Sequence, residues 1–441
     1  MATSNPAVRA PARSLVMLWL GCALAAAAYG LTLLLPAWVK AVGGSAAQAG
    51  LIYWCGALGA GAALLFCGRL AGRIGGGWVA AGGCGLYAAA TGILACTGGP
   101  GGGACAAGVL LGAGWALFLT SASLTAAQLP SAAPAGTRFL VITGCIAAGM
   151  GTAPVAGQLL LDHGVSYQAL FTLATLASLA AAGLFCLLAA TARAHATAVP
   201  GGIAAGGAFG PGRLLLASRA RRYLVMVLLG ACVFTTMTTY QTALAASMGT
   251  NPSVFYICYT AGVIIPRFTM TRTLARLRPA TATTVLLAVM CASLAGFCLA
   301  GHDPALYATS SALLGVSYGL TYPLIQAQAA DSVADQLRHW ALWYFSLAYF
   351  AGLYGFPLIA GTIIATCGYQ GLIACLLVIA ALELAVSARR TREMSAPEVT
   401  DVHCDRARPQ AAAAGQRRGG DLARPAAVPA GIAGAQGRWA G

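Results

Sequence analysis

An all-α membrane protein of twelve transmembrane helices, folded as two pseudo-symmetric six-helix bundles, is what this sequence predicts, on three observations. Composition is the first. With 59% hydrophobic and 8% charged residues over 441 positions, the chain has too few polar side chains to clothe a soluble globule, so its surface must face lipid. The second is a succession of twelve apolar runs, most of them about 20 residues long, the length at which a helix crosses hydrocarbon. The third is the placement of charge. Basic residues gather in alternate connections: Arg9 and Arg13, Arg69 and Arg73, Arg138, Arg193 with positions 213–222, positions 267–278, Arg338, and the stretch from Arg389 onward. The opposite connections, around Gly43, Gly98, Asp162, Gly249, Asp303 and Gly368, carry only Lys40. Translocating Lys and Arg is disfavoured, so the basic loops and both termini are expected in the cytoplasm. A multi-pass protein of the cell (inner) membrane is the corresponding expectation.

The runs follow in order. The first, 15–39, is preceded by Arg9 and Arg13 and carries small residues at Ala25–Ala28, which a cleaved signal peptide also shows; its length and the repeat described below favour a retained helix. The next five occupy 48–67, 78–96, 104–126, 139–161 and about 168–190. A stretch at 191–222 rich in Ala, Gly, Pro and Arg then separates two halves of similar size and reads as a cytoplasmic linker. The second half supplies 223–246, a short eighth run at 253–265, then 281–300, 307–329, 340–364 and 371–386. The expected domains are thus a cytoplasmic N-terminus at 1–14, bundles at 15–190 and 223–388 joined by the linker, and a disordered basic tail at 389–441 whose composition is of low complexity.

Several function classes are disfavoured by the same residues. The net charge of +15 fits cytoplasmic loops beside anionic lipid better than nucleic acid, because no basic patch with interleaved aromatics is present. Most of the fifteen cysteines, among them Cys22, Cys55, Cys145, Cys186, Cys232 and Cys298, sit inside apolar runs and are expected to be reduced small hydrophobes. His403 beside Cys404 makes no tetrahedral set, so no metal is expected. The glycines at 98–103 lie in a turn with no strand before them, which excludes a phosphate loop. No Walker lysine, zinc-protease helix or nucleophile set is found, and neither an enzyme nor a cofactor is expected.

Adding 203 to a residue number carries the first half onto the second. Tyr53 meets Tyr256, Cys55 meets Cys258, Gly59 meets Gly262, Arg69 meets Arg272 and Arg73 meets Arg276. The register continues with Leu110, Leu111 and Gly112 on Leu313, Leu314 and Gly315, Trp115 on Tyr318, Leu117 on Leu320 and Pro154 on Pro357. One offset serving runs two, four and five, with a loop, indicates duplication; runs three and nine show little of it. Parallel six-helix repeats with a ligand site between them near mid-membrane are a recurrent architecture.

Over about residues 14–390 the chain resembles the major facilitator superfamily, through its twelve runs, its central linker and the loop after run two. That loop reads Gly68-Arg69-Leu70-Ala71-Gly72-Arg73-Ile74-Gly75 and is similar to the family's Gly-x-Leu-Ala-Asp-Arg-x-Gly pattern, with Gly72 in place of the Asp and Ala275 at the equivalent point of the second half. The resemblance implies a latch between the halves, here resting on Arg69, Arg73, Arg272 and Arg276. Residues four apart share a helix face and can reach helix carboxyl ends or lipid phosphate; charges that only set topology are the alternative. In run five, Gly149-x-x-x-Ala153-Pro154-x-x-Gly157 partly matches a Gly-Pro motif of exporting members, and Pro357 with Gly361 repeats the hinge. Close packing and a kink alone would account for it equally well.

The resemblance further implies that runs one, four, seven and ten line a cavity, where the candidates are Tyr29, Trp115, Thr120, Tyr240, Gln241, Tyr318, Tyr322 and Gln326. Such a lining suits a neutral or amphipathic small molecule held by stacking and a few hydrogen bonds, and each residue alone reads equally as helix packing. The first eleven runs contain no carboxylate well inside the membrane, and all five histidines fall in loops or near run ends. The usual proton relay is therefore not expected, and coupling would use rim groups such as Asp331 or His339, or be absent. Arg267 reads as a boundary cation snorkelling to the interface, or as a partner for an anionic group. The function implied is export of small amphipathic compounds by alternating access, by a monomer in a bilayer with anionic lipid at its cytoplasmic face. An importer or uniporter of a small polar solute and a non-transporting sensor or scaffold are the alternatives.

Overall fold

A computed structural model describes residues 12–128, 135–193, 218–270, 277–301, 303–334 and 337–395. Arg9, most of the linker, Arg272, Arg276, His403, Cys404 and nearly all of the expected tail lie outside them.

The described residues form thirteen α-helices and no strand. They are α1 (Ala12–Thr32), α2 (Leu35–Ala41), α3 (Ala46–Ile74), α4 (Gly76–Cys96), α5 (Gly102–Gln128), α6 (Ala135–Asp162), α7 (Tyr167–Arg193), α8 (Ala220–Thr239), α9 (Gln241–Ser247), α10 (Pro252–Thr269), α11 (Pro279–Ala300), α12 (Pro304–Asp331) and α13 (Arg338–Ser395). Nine segments among them are long and apolar enough to cross a membrane. One of the nine, Trp340–Arg389, turns at Gly368, where φ is 69°, and makes two passes. The remaining two passes are α10 and α12, which pack on each other and complete twelve. Their low hydropathy has a cause: α12 buries Ser310, Ser311, Ser317, Thr321 and Gln328, and α10 carries Arg267. Large apolar side chains such as Leu58 and Phe66, 55% and 61% exposed, form the outer surface, as a lipid-facing wall requires.

Pass one, expected as one helix, is interrupted at Leu33 and Leu34. Pro36 in the first turn of α2 has no N–H to continue the ladder. The carbonyl of Thr32 so freed accepts a hydrogen bond from Tyr53 Oη at 2.9 Å. Pass seven breaks likewise between α8 and α9, and there Tyr256 Oη donates to the Thr238 carbonyl at 2.8 Å. Tyr53 and Tyr256 are related by the 203-residue offset, so one device closes both breaks. Other ends are fixed locally. Ser45 and Gln48 form a capping box at α3, and Asp303 Oδ1 accepts from the backbone N–H of Ala305 and Leu306 at α12. The eighth pass runs on to Thr269, past the expected end at 265, which puts Arg267 inside a helix.

The duplication is written into the packing. A Cβ on Gly59 would overlap the carbonyl oxygen of Val109, and one on Gly262 that of Ala312; Gly112 meets the carbonyl of Gly56, and Gly315 that of Tyr259. Each member of the second set is its first-half counterpart displaced by 203. Only glycine admits a crossing this close, so α3 on α5 and α10 on α12 are stitched backbone to backbone. Between the halves, Gly151 of α6 faces Thr260 of α10, and Gly50 and Ala46 of α3 meet Pro357 and Gly361 of α13.

Candidate functional site

A cavity of about 500 Å³ lies between the two halves. Its walls are two stacked aromatic pairs. Tyr29 lies on Trp115 with centroids 4.3 Å apart, and Phe234 lies on Tyr318 at 4.7 Å with planes 6° from parallel. Trp115 and Tyr318 are offset partners, so the repeat sets one pair on each half. Tyr322 stands on Tyr349 edge-to-face at 5.1 Å and extends the second wall. Thr120, Ser123, Thr143, Thr238, Thr260, Gln326 and Ser346 are among the polar lining residues. Trp115 Nε1 and Thr260 Oγ1 are buried with no hydrogen-bond partner among the described residues. An unsatisfied buried donor is costly, so a bound molecule that accepts from either gains by it.

Arg267 also lines the cavity, half-buried, with Nη2 donating to the Gly319 carbonyl at 3.2 Å. This corrects the snorkelling expectation: inside α10 the side chain turns to the helix-helix crossing instead of the lipid interface. Two other expectations are corrected. Tyr240 lies away from the cavity, its hydroxyl donating to the carbonyls of Pro357 at 2.9 Å and Ala46 at 3.2 Å. Gln241 Nε2 donates to Tyr307 Oη. Both follow the break in pass seven, where the turn rotates side chains off the face that Phe234 and Thr238 present.

The remaining candidates Tyr29, Trp115, Thr120, Tyr318, Tyr322 and Gln326 line the cavity, as does Gly68. The lining draws on passes two, five, eight and eleven besides the four expected, through residues such as Cys67, Met150, Tyr259, Trp343 and Tyr349. The aromatic cluster Trp340 to Phe350, in a chain only 8% aromatic, was the available signal for pass eleven. Of the loop residues, Gly72, Arg69 and Arg73 are exposed on the last turn of α3, which ends at Gly75 with φ 93°. Gly149 packs on the Ala23 carbonyl, Pro154 against Gly30, and Gly157 against Leu31 and Leu34. Asp331 is ion-paired to Arg338 at 3.5 Å on the exposed rim.

The cavity reaches Gly68, Ser123, Arg267 and Gln326, close to the face where α1 begins, α3 ends and Arg69 and Arg73 lie. Toward the other face it stops near Leu33, Thr238 and Tyr256. Beyond them the halves touch, backbone on backbone at Gly50 with Pro357 and Gly361 with Ala46, and through the Tyr240 hydroxyl.

Twelve passes in two repeated halves about such a cavity are the architecture of a membrane transporter of small solutes. A sequence model of the major facilitator superfamily matches residues 17–356, and the chain belongs to that superfamily. No curated protein sequence matches it. Among solved structures, that of the nucleoside transporter NupG, in a mutant form, is similar at a TM-score of 0.64 with 14% identity, covering 86% of this chain and 99% of that one. The human organic anion transporter MFSD10 (TETRAN) gives 0.62 and 14%, covering 87% and 100%. The E. coli fucose:proton symporter FucP, also a mutant, gives 0.59 and 17%, covering 86% and 98%.

Proposed function

We propose that the protein exports a small amphipathic organic molecule across the cell (inner) membrane by rocker-switch alternating access. The observation that carries this reading is the asymmetry of the cavity, closed by direct contact at one face and extending toward the other. The positive-inside rule assigns that other face to the cytoplasm, and in the export reading the arrangement described here is the one that takes up the molecule from within. Stacked aromatic walls with a few hydroxyl and amide groups suit a body with flat apolar surface and one or two hydrogen-bonding groups. In this reading residues 15–190 and 223–388 rock as two bodies about the hinge residues Gly149, Pro154, Gly157, Pro357 and Gly361, joined by the linker at 191–222. Arg69 and Arg73, with Arg272 and Arg276, latch the cytoplasmic face when it closes and meet anionic lipid when it opens. The working unit is a monomer.

Import of a small polar solute is the second reading, favoured by the likeness to a nucleoside transporter and a fucose:proton symporter. Flux into everted vesicles separates the two. Uptake driven by a proton gradient supports export, and gradient-independent equilibration of a polar solute supports the second reading. Absence of flux across a broad panel points to a sensor or scaffold and overturns both.

A further inference from the structure

Arg267 is the one charged side chain among the described residues that line the central cavity. It ends a stripe on α10: Tyr256, Tyr259, Thr260, Val263 and Arg267 all line the cavity, spaced as one face of a helix requires. Its direction is set by two contacts. A Cβ on Gly319 of α12 would stand 3.0 Å from Val263 Cα, so Gly319 lies level with Val263, one turn back along α10 from Arg267. The Gly319 carbonyl is the group to which Nη2 donates at 3.2 Å. The guanidinium therefore reaches back along its helix, as helical side chains lean, and away from the end of the pass. It arrives beside Tyr318, the residue before Gly319 and half of the second stacked wall.

The first half shows that packing does not ask for a cation at this place. The offset of 203 sets Arg267 on Leu64, which also lines the cavity and is 1% exposed. Val263, one turn away, falls on Ala60, likewise buried and apolar. A guanidinium drawn toward the middle of a membrane is costly where a leucine serves the fold, and such a group marks a place where something is bound. No Asp or Glu is among the described lining residues, so the wall meets an entering molecule with positive charge on the second half and an apolar side chain at the matching point of the first.

We propose that the molecule bound is an organic anion, with a flat apolar body between the two stacked walls and a carboxylate or sulfonate on Arg267. This names the substrate class of the transport reading above and rests on it. A guanidinium offers parallel N–H groups that match two oxygens of such an anion, and away from bulk water the charge interaction is stronger than in it. The same charge rejects a cationic ligand of equal shape. Because Leu64 stands where a second cation would be, the anionic end has a single seat, on α10, and the body lies across toward Tyr29 and Trp115.

The test uses the purified full-length protein and three probes that share one flat body and differ in the charge of one group: naphthoate, naphthamide and naphthylmethylammonium. Affinities are measured by calorimetry for the wild type, Arg267→Gln and Arg267→Lys. The wild type is expected to bind naphthoate more tightly than naphthamide by about 10-fold or more, the contribution of a hydrogen bond to a charged group, and the ammonium least. Arg267→Gln is expected to lose this preference while still binding naphthamide, which also shows that it is folded. Arg267→Lys keeps the charge without the fork and is expected to fall between; should Arg267→Gln not fold, the order of the probes on the wild type and Arg267→Lys decides. Equal binding of acid and amide by the wild type, a preference that survives Arg267→Gln, or no binding of any probe overturns the proposal. So does tighter binding of decanoate, which carries the same charge on a flexible chain. No gradient or second compartment is needed. A protein that fails the flux experiment can therefore pass this one, and an exporter that prefers naphthamide fails this one alone.

Discussion

Tyr240 is a single hydroxyl spanning two bundles. Its acceptors are carbonyls of Ala46 in the first half and Pro357 in the second, at the face where the halves close. Tyr240→Phe keeps the ring and removes the one O–H that the two carbonyls share, at about 1 kcal/mol in all. The expected outcome is faster labelling of a cysteine introduced at Ala47 from that face, by about 5-fold, the ratio corresponding to about 1 kcal/mol. An unchanged rate would show that the closure rests on the glycine contacts alone. The stacked pairs make a second prediction at this scale. Trp115→Ala and Tyr318→Ala each remove one member of a pair, and each is expected to weaken binding of planar amphipathic ligands by at least the stacking contribution of about 0.5–1.5 kcal/mol. Ligand-induced shifts in melting temperature, measured for both variants, check this; losses of similar size support a site shared by the two halves.

What the residues disclosed in advance follows from periodicity. Phe234 and Thr238 are one turn apart and share the cavity face, but Tyr240 lies two residues on, about 200° around a helix and beyond the point where α8 ends. No proline marks that break, so the periodic pattern gives no warning that Tyr240 and Gln241 leave the face. The end of pass eight shows a related limit: the apolar run stops near Ile265, yet the helix continues through Pro266 to Thr269 and keeps the Arg267 guanidinium beside α12.

At the scale of elements, the glycine crossings dictate which helices hold together. Gly59→Leu inserts a side chain where a carbonyl already sits, and so does Gly262→Leu in the other half. Overpacking of this kind costs about 3 kcal/mol or more when the obstacle is backbone that cannot turn aside. Both variants are expected to lose melting temperature to a similar degree, whereas Gly61→Leu, with nothing within reach of its Cβ, is expected to leave it unchanged. Thermal unfolding followed by size-exclusion chromatography provides the comparison. Helix positions were legible from the apolar runs because bilayer thickness sets their length. The interruption at Leu33–Leu34 has a visible cause in Pro36. Passes eight and ten are less apolar than the rest because they turn polar groups to one another and to the cavity, which a hydropathy average cannot distinguish from a loop.

For the whole molecule, the offset of 203 residues was readable in the sequence and reappears as matched atomic contacts, because both come from one duplicated unit. Which face is closed was not readable. It depends on contacts between the halves, such as Gly50 with Pro357, that no repeat within a half encodes. The charge distribution makes the remaining prediction. Impermeant thiol reagents applied to intact cells are expected to spare cysteines introduced at Gly72 and Ser218 and to modify one introduced at Gly43; modification of the first two would invert the orientation and with it the face toward which the cavity extends.

The carbonyl contacts of Gly59 and Gly112 lock α3 and α5 at a separation no side chain can adjust, and Gly262 with Gly315 does the same for α10 and α12. Spin labels attached across either crossing should therefore report an unvarying distance throughout a turnover, giving each half an internal ruler against which displacement of every other helix can be gauged.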